Sequence, residues 1–381
     1  MQALALCLLP AGLLATGLCA QLPAPRPAIL LTGYWPPSNE AVRPFSNNPV
    51  QNPGGWVGSD WEGRGYDVYS YFPEFSPPTC TTCGAGAGDL MVDYQDTSTD
   101  FWALANAIQP IAIITFSRTG ASLSWELESN QYNRTSWGND YIAPVQPTPS
   151  PPDGSVPAGF LRLSKLPMQD VVNAVTAAGL GLNSFICFSG SAGGFVSEFV
   201  AYHGVWYQSL HDSPTDPAWC IAAGHVHVGS GISWPIARTA AEVTLRTVIA
   251  HVDGVRAATV CQVDFGLQGP GTSTLVACGQ PLNVNGNVAD MRLIGGAPNT
   301  IGVLGFSDQF NPVPVFGGLI GPVPLLHTQL ILLDAQGGWF WDDGLIGFPG
   351  GFPQLFAQVA YLDAAQPAGW GISNTLSLLY Q

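Results

Sequence analysis

The chain has 381 residues, of which only 10% are charged, with 45 glycines, 33 prolines and a formal net charge of −15. That length accommodates two domains, and the Gly and Pro content favours a turn-rich, β-containing protein over a helical bundle. The chain has 11 basic residues and a single lysine, Lys165, too few to neutralise a phosphate backbone, so nucleic acid is excluded as a partner. Residues 1–20, MQALALCLLPAGLLATGLCA, read as a secretory signal peptide: an apolar run, then small residues, with cleavage after Ala20. Pro10 and Pro23 bound it too closely for a transmembrane helix, and no later segment is apolar enough to span. The expectation is a soluble exported protein, secreted, periplasmic or at the cell surface.

Strand-like runs at 28–32, 67–72, 111–116, 183–188 and 220–228 alternate with helix-like runs at 100–108, 168–178, 193–210 and 239–251. In the run after Pro167, Val171, Val172, Val175 and Ala178 recur at steps of three and four, and Gly179 stands where a helix ends. This alternation predicts an α/β domain over 21–254 with an open, largely parallel sheet flanked by helices. The proline-rich stretch 143–157 reads as a surface loop within it. From 255 to 381, short apolar runs separated by Gly, Pro and Asn turns predict an all-β sandwich domain. In that region Trp339, Phe340 and Trp341 read as core or turn packing more readily than as a carbohydrate platform.

Removal of the leader leaves Cys80, Cys83, Cys187, Cys220, Cys261 and Cys278, an even number that suggests disulfides in an exported chain. Cys261 and Cys278, in the same distal region, form the natural pair. Cys80 and Cys83 lack a second CxxC and read as a local bridge rather than a redox or metal motif.

Five segments, in order, carry a resemblance. They are LLTGYWPP at 30–37, SLSWE at 122–126 followed by Asn130, LSKLPMQDVVNAVTAAG at 163–179, SGSAGGFVS at 189–197 and AGHVHV at 223–228. Together they resemble the pyroglutamyl peptidase I (pyrrolidone-carboxyl peptidase) family, whose blocks read L-x-T-G-F-x-P-F, I-T-x-E-R-x-A-x-N, L-P-x-x-x-I, S-x-x-A-G-x-[YF]-x-C and A-G-F-I-H-V. The resemblance covers roughly residues 28–254. The segment from 269 onward also resembles a C-terminal module of exported bacterial proteins, from which no catalytic role follows.

The resemblance implies an omega peptidase of a cysteine-peptidase family, releasing N-terminal pyroglutamate from peptides without metal or cofactor. Its Glu, Cys and His positions fall on Glu126, Ser197 and His227, with Glu128 as the alternative acid. Its apolar wall falls on Phe195 and Val196, and its first-loop aromatic on Tyr34; a second aromatic is replaced by Pro37. Members often assemble, so an oligomer is compatible with it.

Serine at the nucleophile position changes the chemistry, because a hydroxyl is far less acidic than a thiol and needs a general base. His227 would serve as that base and Glu126 would hold its tautomer, making a Ser-His-Glu set. The N–H groups of the turn 191–194 would face the oxyanion. Ser191, between an apolar strand and a helix, is a competing nucleophile with an elbow-like setting. Glu198, beside Ser197, adds a negative charge opposed to an oxyanion. That charge, with Pro37 and the serine itself, supports the alternative of a catalytically silent protein that binds peptides or cell-surface material. His225 and His227 would share one strand face, but no third metal ligand is identifiable beside them.

Overall fold

The computed structural model describes residues 25–80, 84–188, 192–348 and 354–380. The expected leader, Cys83 and Ser191 lie outside the described residues.

The first unit contains strands β1 (Ala28–Tyr34), β2 (Asp67–Tyr71), β3 (Ala112–Thr119), β4 (Ser124–Glu128), β5 (Asn130–Tyr132), β6 (Leu161–Leu163), β7 (Asn183–Cys187) and β8 (Ala222–Gly229). Its helices are α1 (Ser38–Val42), α2 (Tyr94–Ile108), α3 (Met168–Ala177), α4 (Val196–Leu210) and α5 (Trp234–Ala258). Six strands form one sheet in the order β2-β1-β3-β8-β4-β7. β2, β1, β3 and β8 run parallel, whereas β4 runs against β8 and β7 runs parallel to β4. The sheet is therefore mostly parallel, with a reversal between β8 and β4.

Alternation along each strand sends side chains to two helical layers. Ile29, Leu31, Ile114, Phe116, Trp125, Leu127, Val226 and Val228 pack with α1, α3 and α5. Leu30, Ile113 and Ala223 pack on the opposite side with Phe101 of α2 and Val196, Phe199 and Val200 of α4. In α3, Val171 and Val175 supply the buried stripe and Gly179 takes a φ of +65°, as the periodicity predicts.

Three helices differ in extent from the sequence reading. α2 starts at Tyr94 rather than 100, because the Asp93 side chain caps it by accepting from the Asp96 N–H. α4 starts at Val196 rather than 193, because Gly193 and Gly194 adopt φ values of +93° and +70°. α5 extends past both ends of 239–251, with a proline in its first turn and Arg256 in its last. It runs through residues 254 and 255, so the junction with the next unit is at Thr259.

The proline-rich stretch is a surface loop anchored by the Asn133 and Gln95 side chains and by one buried carboxylate. Asp153 accepts from Arg162 Nη2 at 2.8 Å and from the Tyr202 hydroxyl at 3.1 Å.

The second unit is a β-sandwich of β9 (Val260–Cys261), β10 (Val263–Asp264), β11 (Thr274–Gly279), β12 (Val288–Ile294), β13 (Ile301–Ser307), β14 (Phe310–Val315), β15 (Gly318–Pro322), β16 (His327–Leu332), β17 (Trp339–Ile346), β18 (Gln354–Leu362), β19 (Trp370–Ile372) and β20 (Leu376–Leu379). One sheet has the order β10-β20-β18-β13-β16, with β19 on β18, and the other β17-β12-β11-β9. Leu275, Met291 and Leu293 of the second meet Leu304, Val359, Tyr361 and Leu378 of the first in a shared core. Cys261 and Cys278, register partners on β9 and β11, form the expected disulfide. Trp339 and Trp341 pack against this core, while Phe340 is exposed beneath the Arg292 guanidinium.

Between the units, the segment 211–219 after α4 docks on β12. Ser213 Oγ donates to Asp290 at 2.6 Å, Arg292 Nε donates to Thr215 Oγ1 at 3.2 Å, and Arg292 lies 3.6 Å from Asp216. Among the described residues, no helix is long and apolar enough to cross a membrane.

Candidate functional site

Strand register sets two transverse polar rows on the sheet face that α4 covers. One row runs Tyr34, Ser117, His227, Glu126 across β1, β3, β8 and β4. The other runs Thr32, Thr115, His225, Glu128. The rows lie toward the carboxyl ends of β1, β3 and β8, where open α/β sheets build their ligand sites.

Within these rows the closest acid–base contact is diagonal. His227 Nδ1 donates to Glu128 Oε1 at 2.8 Å, and the two residues are 8% and 2% exposed. Glu126, the expected partner, instead accepts a hydrogen bond from Ser124 Oγ at 2.6 Å. The reason lies in His225. Its Nδ1 pairs with Thr115 Oγ1 and its Nε2 with Ser117 Oγ, both at 2.8 Å, so the ring is turned toward β3. Glu128, directly opposite His225, is left to reach His227. Complete burial, reinforced by the neighbouring His227, holds His225 well below the ordinary imidazole range. It is neutral, with one nitrogen donating and the other accepting, and its ring stands perpendicular to that of His227 at 4.8 Å.

Ser197 lies in the first turn of α4, 5% exposed. No hydrogen bond joins it to His227 among the described residues. The competing Ser191 is outside them.

Glu198 is fully buried, and its charge is matched. Oε2 accepts from Arg134 Nε at 2.6 Å and from the Gly194 N–H at 2.8 Å, and Oε1 accepts from the Tyr132 N–H at 3.3 Å. The carboxylate expected to oppose an oxyanion is therefore tied to a guanidinium. The same contact removes the Gly194 N–H from the donors expected for an oxyanion. Sequence reasoning passed over Arg134; the signal available was that a buried acid beside a candidate nucleophile requires one of the chain's few cations.

Of the three expected substrate-binding residues, Phe195 alone keeps some exposure. It caps α4 in extended conformation and stacks on Trp35 at 6.1 Å, with Tyr141 edge-on at 6.4 Å. Trp35 is held at φ +58°, and Arg118 lies over its ring at 5.8 Å. Val196 is fully buried in the helical layer. Tyr34 is 1% exposed with its hydroxyl bonded to Thr97, and burial pushes its phenol far above the ordinary range. Its side chain joins β1 to α2 and does not present a surface to a ligand.

An apolar cavity of about 460 Å³ lies elsewhere, in the sandwich between the β14–β15 hairpin and β13 and β18, and is lined by Val303, Val313, Phe316, Ile320, Ala360 and Trp370.

No protein-family model and no curated protein matches the sequence. Among solved structures, the chain is similar to the pyrrolidone carboxyl peptidase from Thermococcus litoralis, at 13% identity and a TM-score of 0.43 over 60% of this chain and 96% of that one. It is also similar to pyroglutamyl peptidase I from Bacillus amyloliquefaciens, at 18% identity and a TM-score of 0.42 over 60% of this chain and 97% of that one. A mutant pyrrolidone carboxyl peptidase from the hyperthermophile Pyrococcus furiosus aligns at 13% identity and a TM-score of 0.42, over 59% and 99% of the two chains.

Proposed function

We propose that the chain is an exported hydrolase of the omega-peptidase type, releasing pyroglutamate or a related small acyl group from the N-terminus of peptides. The observation that carries this reading is the buried Glu128–His227 hydrogen bond, on the sheet face covered by the helix whose first turn bears Ser197. With Nδ1–H committed to Glu128, His227 keeps Nε2 as the basic nitrogen. In this reading Nε2 takes the Ser197 hydroxyl proton as Oγ attacks the substrate carbonyl. The same nitrogen then gives that proton to the leaving amine, and water releases the acyl group from Ser197. Glu128 steadies the imidazolium that forms between these steps. Phe195, stacked on Trp35, supplies the apolar wall for the acyl group. The ordered motif set favours a pyrrolidone ring as that group.

A second reading, a silent binder that keeps the pocket, is favoured by the lack of a hydrogen bond between Ser197 and His227. The test is turnover of a fluorogenic pyroglutamyl amide by the mature chain. Under the hydrolase reading the wild type is active and Ser197→Ala is silent. Glu128→Gln loses at least ~100-fold in kcat/KM and loses more than Glu126→Gln. A silent wild type with an active Ser197→Cys variant favours the binder. Undiminished turnover in Ser197→Ala removes this serine from the chemistry.

A further inference from the structure

Glu126 and Glu128 stand two apart on β4 and so project from the same face, with His227 beside them on β8. One ligand atom from each of the three lies within 4.8 Å of the others. Glu128 is 2% exposed, and its Oε2 has no hydrogen-bond partner. A buried carboxylate oxygen without a protein donor is costly, and a bound cation is one partner that satisfies it. Among the described residues, no Lys or Arg pairs with either glutamate; the sole ion-pair partner of Glu128 is His227. Two carboxylates, Glu128 buried and Glu126 half-buried, therefore face one imidazole with no cationic side chain paired to either among the described residues.

We infer that Glu126, Glu128 and His227 form a binding site for a divalent transition metal ion, Zn2+ above all, and that the bound ion arrests hydrolysis. One imidazole with two carboxylates is a three-ligand set that leaves a fourth position for water. The nitrogen donor favours Zn2+ over Ca2+ or Mg2+, which prefer all-oxygen shells. Ser124, donating to Glu126, orients that ligand from outside the shell. Ligation breaks the Glu128–His227 hydrogen bond and engages the imidazole that the proposed chemistry uses as base. The arrest rests on the hydrolase reading; the binding does not.

The test is calorimetric titration of the full mature chain with ZnCl2, together with the visible absorption of its Co2+ form. One ion per chain is expected. Glu126→Gln should weaken binding at least ~10-fold and change the Co2+ spectrum, since even outer-shell losses cost about 10–100-fold. The exposed Asp342 and Asp343 lie in a separate acidic group, so Asp342→Asn with Asp343→Asn should leave both readouts unchanged. No binding, or binding that Glu126→Gln leaves intact, overturns the site, whether or not the chain hydrolyses anything. If it does, Zn2+ should inhibit it, and the half-inhibiting concentration should rise at least ~10-fold in Glu126→Gln relative to that variant's own metal-free rate. Turnover unaffected at saturating Zn2+ overturns the arrest.

Discussion

Glu198 shows how one side chain can tie together several segments around the candidate site. Its carboxylate joins the first turn of α4, the backbone of β5 and the glycine turn before the helix, and Arg134 balances its charge. Glu198 is wholly buried, whereas the Arg134 side chain is 34% exposed. Removing the cation leaves a carboxylate in the interior, a larger loss than removing both charges together. Arg134→Met should lower the unfolding free energy by about 3 kcal/mol in denaturant titration, and Arg134→Met with Glu198→Gln should recover part of it. Equal losses in the single and double variants would show that the pair contributes nothing through its charge.

Between elements, the closeness of β8 to the segment leading into α3 decides what the strand tolerates. A Cβ on Gly224 would collide with Ser164 Oγ and approach the Leu166 side chain to 2.9 Å. That segment is also pinned to β8 by the Lys165 N–H donating to Ala223 O at 2.8 Å. Gly224→Ala should therefore destabilise by ~2 kcal/mol through overpacking, read as a shifted denaturant midpoint at constant slope. A neutral outcome would mean that the Ser164 segment moves freely. The same elements show what a linear reading can reach. β1, β2, β3, β7, β8 and α3 were legible because apolar periodicity and Gly179 are local signals, whereas the short β4, β5 and β6 carry no such run and were not legible as strands. The start of α4 was not, because it depends on two glycines taking positive φ in a stretch that otherwise reads as helix. Pairing of His227 with Glu128 rather than Glu126 was less legible still. It follows from β4 running against β8, and from two hydroxyls on β3 drawing His225 aside, neither of which appears in the order of residues along the chain.

For the molecule as a whole, acid sensitivity follows from histidines folded in their neutral form. Burial lowers His203 from its ordinary 6.5 to about 4 and pushes His225 well below 6.5. Unfolded, both take up protons near 6.5, so below that pH the unfolded chain binds more protons than the folded one. The stability they contribute is complete above 6.5 and is lost as the pH falls toward about 4. Calorimetry should show Tm dropping steadily across that window; a flat profile would contradict the burial of neutral imidazoles. The junction between the two units has a mechanical consequence. A single residue, Thr259, separates α5 from the sandwich, and the segment docked on β12 through Ser213 leads directly into β8. A pull on the sandwich reaches the first unit along two load paths among the described residues, and one of them ends on the strand that carries His225 and His227.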